Sequence, residues 1–191
     1  VCAPARGSMM TGKYVSDHKV WTNDVPFREG LDYLAESMNN LNYTTAAFGK
    51  LHHYPPEDAK GFQYTKQMEE GRLGKEEPYL KWLQTKHSKM NNKNKTFQYE
   101  EKEYHEYWIA SEAIKFLKKQ VKTNSEKPFF TWISFQGPHT PLDPPEEVKG
   151  KVDIEKLPEP INPERNLSSI PKYRKACLNI PKNISEIMKI R

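Results

Sequence analysis

The chain has 191 residues, of which 36% are hydrophobic and 12% aromatic. This length can bury the core of one ordinary domain, and the aromatic content argues against a disordered chain. The formal net charge is +5, but lysines alternate with glutamates, as in "EEGRLGKEEPYLKW", which favours a solvated mixed-charge surface over a nucleic-acid site. No run approaches the roughly 20 apolar residues that cross a bilayer. We therefore expect neither a nucleic-acid nor a membrane partner.

The first predicted element is a helical turn in "CAPARGSMMT", with Pro4 near the first helical position. Cys2 would then lie at or just before a helix N-terminus, where free N–H groups favour anions and a thiolate. A nucleophilic and a structural cysteine are equal alternatives at this point. Cys177 is the second of two cysteines, so one disulfide is possible but no disulfide framework.

The middle of the chain alternates helical and strand patterns. Apolar residues at helical spacing predict a helix over about 28–40, and "YTTAAFGK" predicts a short strand. Residues 55–95 read as a polar insertion with one short helix in "PYLKWLQTKH". The stretch "EYWIASEAIKFLKKQV" predicts an amphipathic helix with Ile109, Ala113, Leu117 and Val121 on one face.

The compact apolar run "PFFTWISF" predicts a buried strand, and the residues from 141 to 191 form a tail rich in Pro, Lys and Glu that we expect to wrap the surface and to end in a helix, "NISEIMKIR". Helix, strand, helix and strand in this order predict an α/β fold with parallel strands. Ligands of such sheets bind beyond the carboxyl ends of the strands. The stretches "GKLHH" and "QGPHTP" directly follow the two predicted strands, so both are expected at this edge.

Three side chains in these stretches carry candidate chemistry. Lys50 and His52 face the same side if the segment is extended, and together they can hold an oxyanion and move a proton. An ordinary surface turn is the alternative, and His139 between two prolines could merely fill a rigid turn. Zinc could bind through Cys2, His52, His53 and His139, although the sequence has neither C-x-x-C nor H-E-x-x-H spacing.

Three motifs resemble those of the sulfatase family, in the family's order. The first resembles C-x-P-S-R followed by Thr-Gly, and its matching positions are Cys2, Pro4, Arg6, Thr11 and Gly12. The second resembles Gly-Lys-x-His, and its matching positions are Gly49, Lys50 and His52. The third resembles a strand followed by Pro-His-x-Pro, and its matching positions are Pro138, His139 and Pro141. The resemblance extends from residue 1 to about 147.

The resemblance implies part of an alkaline-phosphatase-like sandwich, with a mostly parallel sheet flanked by helices, and the hydrolysis of a sulfate monoester. In this family a formylglycine-generating enzyme oxidises the motif cysteine to Cα-formylglycine, an aldehyde. One hydroxyl of its hydrate attacks sulfur, and the other collapses to the aldehyde and expels sulfate. Phosphonate or phosphate ester hydrolysis in the same superfamily is the alternative activity, and a non-catalytic remnant that binds anions or a partner is the alternative outside catalysis.

The resemblance also implies a role for each matched residue. Cys2 as formylglycine would be the nucleophile and a ligand of a divalent cation, usually Ca²⁺, which would polarise the sulfate. Arg6 would hold the hydrate, and Lys50 would contact sulfate oxygens. His52 would help to deprotonate the hydrate, and His139 would donate a hydrogen bond on the leaving-group side.

Two departures from the family pattern qualify these expectations. Ala5 stands where the family usually has Ser, and we expect modification of Cys2 to survive this change. The family's aspartates for the metal would lie before Val1 and beyond Arg191, so residues 1–191 are expected to be the central part of a catalytic domain, and activity of this fragment alone is left open. A sulfated small molecule or carbohydrate is the expected substrate, and a periplasmic or secreted location is expected rather than a cytoplasmic or lysosomal one.

Overall fold

A computed structural model describes residues 2–87, 100–123, 126–140, 144–148 and 150–158. The chain divides into two units, Val1–Glu147 and Val148–Arg191. In the first unit the α-helices are Cys2–Thr11 (α1), Val15–His18 (α2), Leu34–Asn40 (α3), Pro78–Lys86 (α4) and His105–Lys122 (α5). Its strands are Thr44–Gly49 (β1), Tyr64–Gln67 (β2) and Phe129–Ser134 (β3). In the second unit, the described residues include the short 3₁₀ helix Ile154–Lys156.

The three strands form one parallel sheet in the order β2-β1-β3. Successive side chains of a strand point to opposite sides of the sheet. Five successive residues of the central strand β1 are buried, so both of its faces are covered. Ala46 and Phe48 pack with Ile109 and Phe116 of α5. Ala47 packs on the other face with Met10 of α1 and Ala35 of α3. A parallel sheet with helices on both faces confirms the predicted α/β class.

Parallel pairing brings the carboxyl ends of the strands to one edge. Gly49, the last residue of β1, is paired with Gln67 of β2 and with Ser134 of β3. The loops that follow the three strands therefore begin side by side. Two of them carry the sequence motifs around Lys50 and His139, as predicted from chain order alone.

The structure corrects several element boundaries. The helix expected over 28–40 begins at Leu34; Gly30 has φ +68°, and the side chain of Glu36 accepts a hydrogen bond from the Tyr33 backbone N–H at 3.1 Å, which fixes the helix start. On α5, Phe116 is part of the core, whereas Val121, which the sequence predicts on the apolar face, is 76% exposed.

The prediction of a polar insertion with one short helix over 55–95 missed β2. Its alternating pattern has one buried position, the polar Gln67, so its hydrophobic period is too weak to detect. The short helix predicted in this stretch is confirmed as α4. Of the predicted tail, only residues 144–148 and 150–158 are described, and the helix predicted over 183–191 lies outside the described residues.

Candidate active site

Helix α1 places Cys2 and Arg6 one turn apart. Cys2 opens the helix and is a free, half-buried thiol; Cys177 lies outside the described residues. One nitrogen of Arg6, Nη1, donates to the backbone oxygen of Lys50 at 2.6 Å and to Ser134 Oγ at 2.9 Å. Burial lowers the pKa of Arg6, and the nearby charges of Glu69, Cys2 and Glu70 oppose this shift. Arg6 thus joins the cysteine helix to the carboxyl ends of β1 and β3.

The fully buried side chain of His18 packs against helix α1. The Val20 N–H donates to His18 Nδ1 at 3.1 Å, so the ring proton lies on Nε2, which is 3.1 Å from Ser8 Oγ. Burial lowers the pKa of His18 against the opposing charge of Asp17, which keeps the ring neutral at neutral pH. A Cβ on Gly7 would lie 3.0 Å from His18 Cε1. Glycine at position 7 therefore permits helix α1 to lie close to the His18 ring.

The end of β1 turns sharply to present Lys50. Gly49 has φ +88°, a conformation that favours glycine, and the Lys50 N–H donates to the Ser134 backbone oxygen at 3.0 Å. The Lys50 side chain is only 2% exposed, and its Nζ forms an ion pair of 2.7 Å with Glu70 Oε1. A buried ammonium requires such a partner, since an unpaired charge is costly to desolvate.

His52 lies in the same loop, but the segment is not extended there. Its φ of +56° differs from the extended backbone that the spacing argument assumed. Burial, with the positive charges of Lys50 and Arg72, lowers the pKa of His52 to about 4. Its Nδ1 is buried and has no hydrogen-bond partner among the described residues. At neutral pH His52 is therefore a neutral imidazole that can accept a proton.

Two glutamates that the sequence reasoning missed organise this loop. Glu69 is fully buried, and its carboxylate accepts the backbone N–H groups of Leu51 at 2.6 Å and of His52 at 3.0 Å. Burial raises the pKa of Glu69, and these two N–H groups oppose that shift. The adjacent Glu70 binds Lys50. A pair of acidic residues that begins two positions after the end of β2 is the signal that could have revealed them, had β2 itself been recognised.

His139 lies near the Glu70 carboxylate, which also binds Lys50. Its Nδ1 lies 2.7 Å from the Thr140 backbone oxygen and 3.5 Å from Glu70 Oε1. Gln136 Nε2 also donates to Glu70 Oε1. The loop is held from the helix side, because the Gly137 N–H donates to Glu106 Oε1 at 2.7 Å.

The structure thus connects four of the five predicted site residues, each through a contact already described: Arg6 with Lys50, Lys50 and His139 with Glu70, and His52 with Glu69. Cys2 lies on the Arg6 helix, but its sulfur makes no hydrogen bond with Lys50, His52 or His139. The neighbouring His53 is buried and packs edge-on against Phe27 at a ring-centroid distance of 5.4 Å.

The described donor groups around Cys2 do not form a metal site by themselves. Within the described ranges, no group of three His, Cys, Asp or Glu side chains could hold a metal ion. The alternative zinc set of Cys2, His52, His53 and His139 is therefore not assembled, and these residues do not complete a calcium cage either. The acidic residues nearest the site, Glu69 and Glu70, are instead bound to N–H groups and to Lys50.

Similarity to known proteins identifies the family to which the chain belongs. The family model "Sulfatase" matches residues 1–189. The chain is 28% identical to an arylsulfatase of Clostridium perfringens, over 84% of this chain and 38% of that protein. It is 30% identical to an ulvan-active sulfatase of Formosa agariphila, over 82% of this chain and 30% of that protein. The chain belongs to the sulfatase family.

Solved structures with a similar fold agree with this family assignment. A phosphonate monoester hydrolase of Silicibacter pomeroyi superposes with a TM-score of 0.63 at 20% identity, over 86% of this chain and 37% of that chain. This likeness shows the fold and confirms the expected alkaline-phosphatase-like α/β architecture. The chain corresponds to 38% and 30% of the lengths of the two curated relatives named above. No helix within the described ranges has the length and apolar character to cross a membrane.

Proposed function

We propose that the protein containing this chain hydrolyses sulfate monoesters with a nucleophile made from Cys2. The observation that carries the proposal is the Arg6 guanidinium, which lies on the Cys2 helix and donates to Lys50 O and Ser134 Oγ. One side chain thereby ties the first motif to the loop of the second and to the strand that leads into the third. Membership of the sulfatase family supports the reaction class.

In this proposal a formylglycine-generating enzyme converts Cys2 to the aldehyde. One hydroxyl of the hydrated aldehyde forms a bond to sulfur while the bond from sulfur to the alcohol oxygen breaks. The second hydroxyl then loses its proton, the aldehyde re-forms and sulfate leaves, after which water restores the hydrate. A simple hydroxyl could be sulfated, but it could not expel sulfate in this way.

The residues of this chain divide the remaining work. Lys50 is a buried ammonium that would neutralise sulfate oxygens as charge develops. His52 is neutral at physiological pH because burial and the nearby cations lower its pKa to about 4, so it would accept the hydrate proton. His139 is 44% exposed at the rim and would donate a hydrogen bond on the leaving-group side. Arg6 would hold the nucleophile through its fixed helix position.

The test begins with mass spectrometry of the Cys2 peptide from the intact protein, produced with a formylglycine-generating enzyme. We expect replacement of the thiol by an aldehyde and turnover of 4-nitrophenyl sulfate. Cys2→Ala should abolish turnover, whereas the matched variant Cys177→Ala, which removes the chain's other cysteine, should retain it. An unmodified Cys2 thiol under these conditions would contradict the proposal and would favour a non-catalytic, anion-binding protein.

Substrate choice is a second question for the same protein. Lys50 and His139 recognise a tetrahedral oxyanion, and this chemistry does not separate sulfate from phosphonate. Rates on an aryl sulfate and on an aryl phosphonate, measured side by side, decide between the two activities. The relatives are named as an arylsulfatase and as an ulvan-active sulfatase, which supports a sulfated aromatic or carbohydrate substrate. A periplasmic or secreted location stays a prediction.

A further inference from the structure

Two hydrogen-bond donors point at one oxygen of Glu70, and a histidine nitrogen lies near the same atom. Lys50 Nζ lies 2.7 Å from Oε1, Gln136 Nε2 donates to the same atom, and His139 Nδ1 lies 3.5 Å from it. The donors come from two different loops, one after β1 and one after β3. Converging donors of this kind are what a bound oxyanion requires.

The backbone around Glu70 holds the carboxylate in this position. Glu70 has φ +57°, a left-handed conformation that is uncommon for a residue with a side chain. On one side, Glu69 is fixed by the loop after β1. On the other, the Gly71 N–H donates to Glu77 Oε2 at 2.6 Å. The turn is thus fixed on both sides of Glu70, which indicates that the placement of its side chain is built into the fold.

Glu70 is also ionised and within reach of solvent. Burial alone would raise its pKa, but the hydrogen bond and charge of Lys50, with smaller contributions from His139 and His52, lower it. The side chain is 24% exposed, in contrast to the 2% exposed Lys50 behind it. A ligand arriving from solvent therefore meets the carboxylate before it meets the ammonium.

We propose that the Glu70 carboxylate occupies the oxyanion position of this site and that a tetrahedral oxyanion displaces it from Lys50 and His139. This inference rests on the proposed function, in which the same two side chains receive sulfate. Two anions cannot share these donors without strong repulsion, because like charges a few ångströms apart in a partly buried site interact strongly. Glu70 would therefore lower the affinity for sulfate and act as a built-in competitor.

The opposite role, in which Glu70 merely positions Lys50 for the substrate, predicts the opposite sign. Removing a positioning group weakens anion binding, whereas removing a competitor strengthens it. The test is the affinity of the intact protein for inorganic sulfate, measured by isothermal titration calorimetry at constant ionic strength, which keeps charge screening equal. Glu70→Gln keeps the size of the side chain and removes its charge.

We expect Glu70→Gln to bind inorganic sulfate about tenfold more tightly than the unchanged protein, and Glu70→Ala to change affinity in the same direction. The alanine variant decides the question if the glutamine variant fails to fold. The matched control is Glu76→Gln, an exposed glutamate paired with the exposed Lys81 at 2.5 Å, which should leave sulfate affinity unchanged. Adding Lys50→Gln to Glu70→Gln should remove the gain.

Equal or weaker sulfate binding by both Glu70 variants would overturn the inference, and so would the absence of sulfate binding in all of them. The measurement needs no turnover, so its outcome is separable from that of the proposed function. A protein that hydrolyses sulfate esters but shows no gain on Glu70→Gln refutes the displacement alone. A protein that shows the gain without any turnover refutes the hydrolase proposal and leaves the displacement standing.

Discussion

Gly49 is the residue at which the sheet and the candidate site depend most directly on each other. In Gly49→Ala, the new Cβ would lie 2.0 Å from the Ser134 backbone oxygen and 3.0 Å from Ile109 Cδ1. The first contact is with main chain, so no side-chain rotation relieves it. Relief requires β1 and β3 to separate where the Lys50 N–H bonds to Ser134 O at 3.0 Å.

The magnitude follows from three contributions. A side chain at φ +88° costs about 1–2 kcal/mol, loss of the strand hydrogen bond costs about 1 kcal/mol, and overpacking adds about 1–3 kcal/mol. We expect the free energy of unfolding to fall by about 4 kcal/mol. Since Lys50 follows directly, the folded fraction of Gly49→Ala should also bind sulfate more weakly.

Urea denaturation of the intact protein, followed by tryptophan fluorescence, measures this loss. The matched control is Gly30→Ala, because Gly30 also has a positive φ, +68°, but a Cβ there would meet nothing within 4 Å. The control isolates backbone strain and should lose about 1 kcal/mol. Equal losses in the two variants would refute the reasoning, since the contact with Ser134 would then contribute nothing.

Three further predictions concern groups around the site. Gly7→Ala should lower the free energy of unfolding by about 1 kcal/mol, measured by urea denaturation, because the new Cβ lies 3.0 Å from His18 Cε1; Met9→Ala on the exposed side of α1 should be near neutral, and equal losses would contradict this. His53, whose pKa is lowered by burial to about 3, stays neutral in the folded protein while the unfolded chain takes up a proton below about pH 6.5. Stability should therefore fall as pH falls from about 6.5 toward 3, and His53→Gln should reduce that slope by about 1.4 kcal/mol per pH unit; unchanged slopes would exclude this cause. Glu69→Gln should cost about 1–3 kcal/mol of stability in urea denaturation, because it weakens the acceptor of two buried N–H groups; a loss under 0.5 kcal/mol, roughly that of a surface change, would argue against this role.

The sheet could be predicted where the sequence carried a strong local pattern. β1 is a short run that favours strand and β3 is a mostly apolar one, and their order with the intervening helix α5 indicated parallel strands. β2 could not be predicted in the same way, because it is a four-residue strand with a single buried position. Its place in the sheet is set by pairing with β1, which is a tertiary effect.

The same distinction between local patterns and tertiary contacts applies to the candidate site. Cys2, Arg6, Lys50, His52 and His139 could be proposed as candidates because each belongs to a short motif whose spacing is local. The contact between Glu70 and Gln136 could not be predicted, because the two residues lie 66 positions apart in the chain. The extended geometry assumed for Lys50 and His52 failed for a related reason. The positive φ of His52 accompanies the hydrogen bonds of its N–H to Glu69.

Backbone groups carry much of the coupling between the three motif regions. Arg6 binds the carbonyl of Lys50, Lys50 binds the carbonyl of Ser134 through its N–H, and Glu69 holds the N–H of His52. Almost every residue has a backbone donor and acceptor. Such hydrogen bonds therefore constrain the backbone geometry, but they place little constraint on which amino acid stands at the bonded position. Side-chain identity matters where charge is concentrated, at Lys50 and Glu70. The chemistry of the site should therefore be most sensitive to changes in that one ion pair, and its geometry to the turns that hold the two residues against each other.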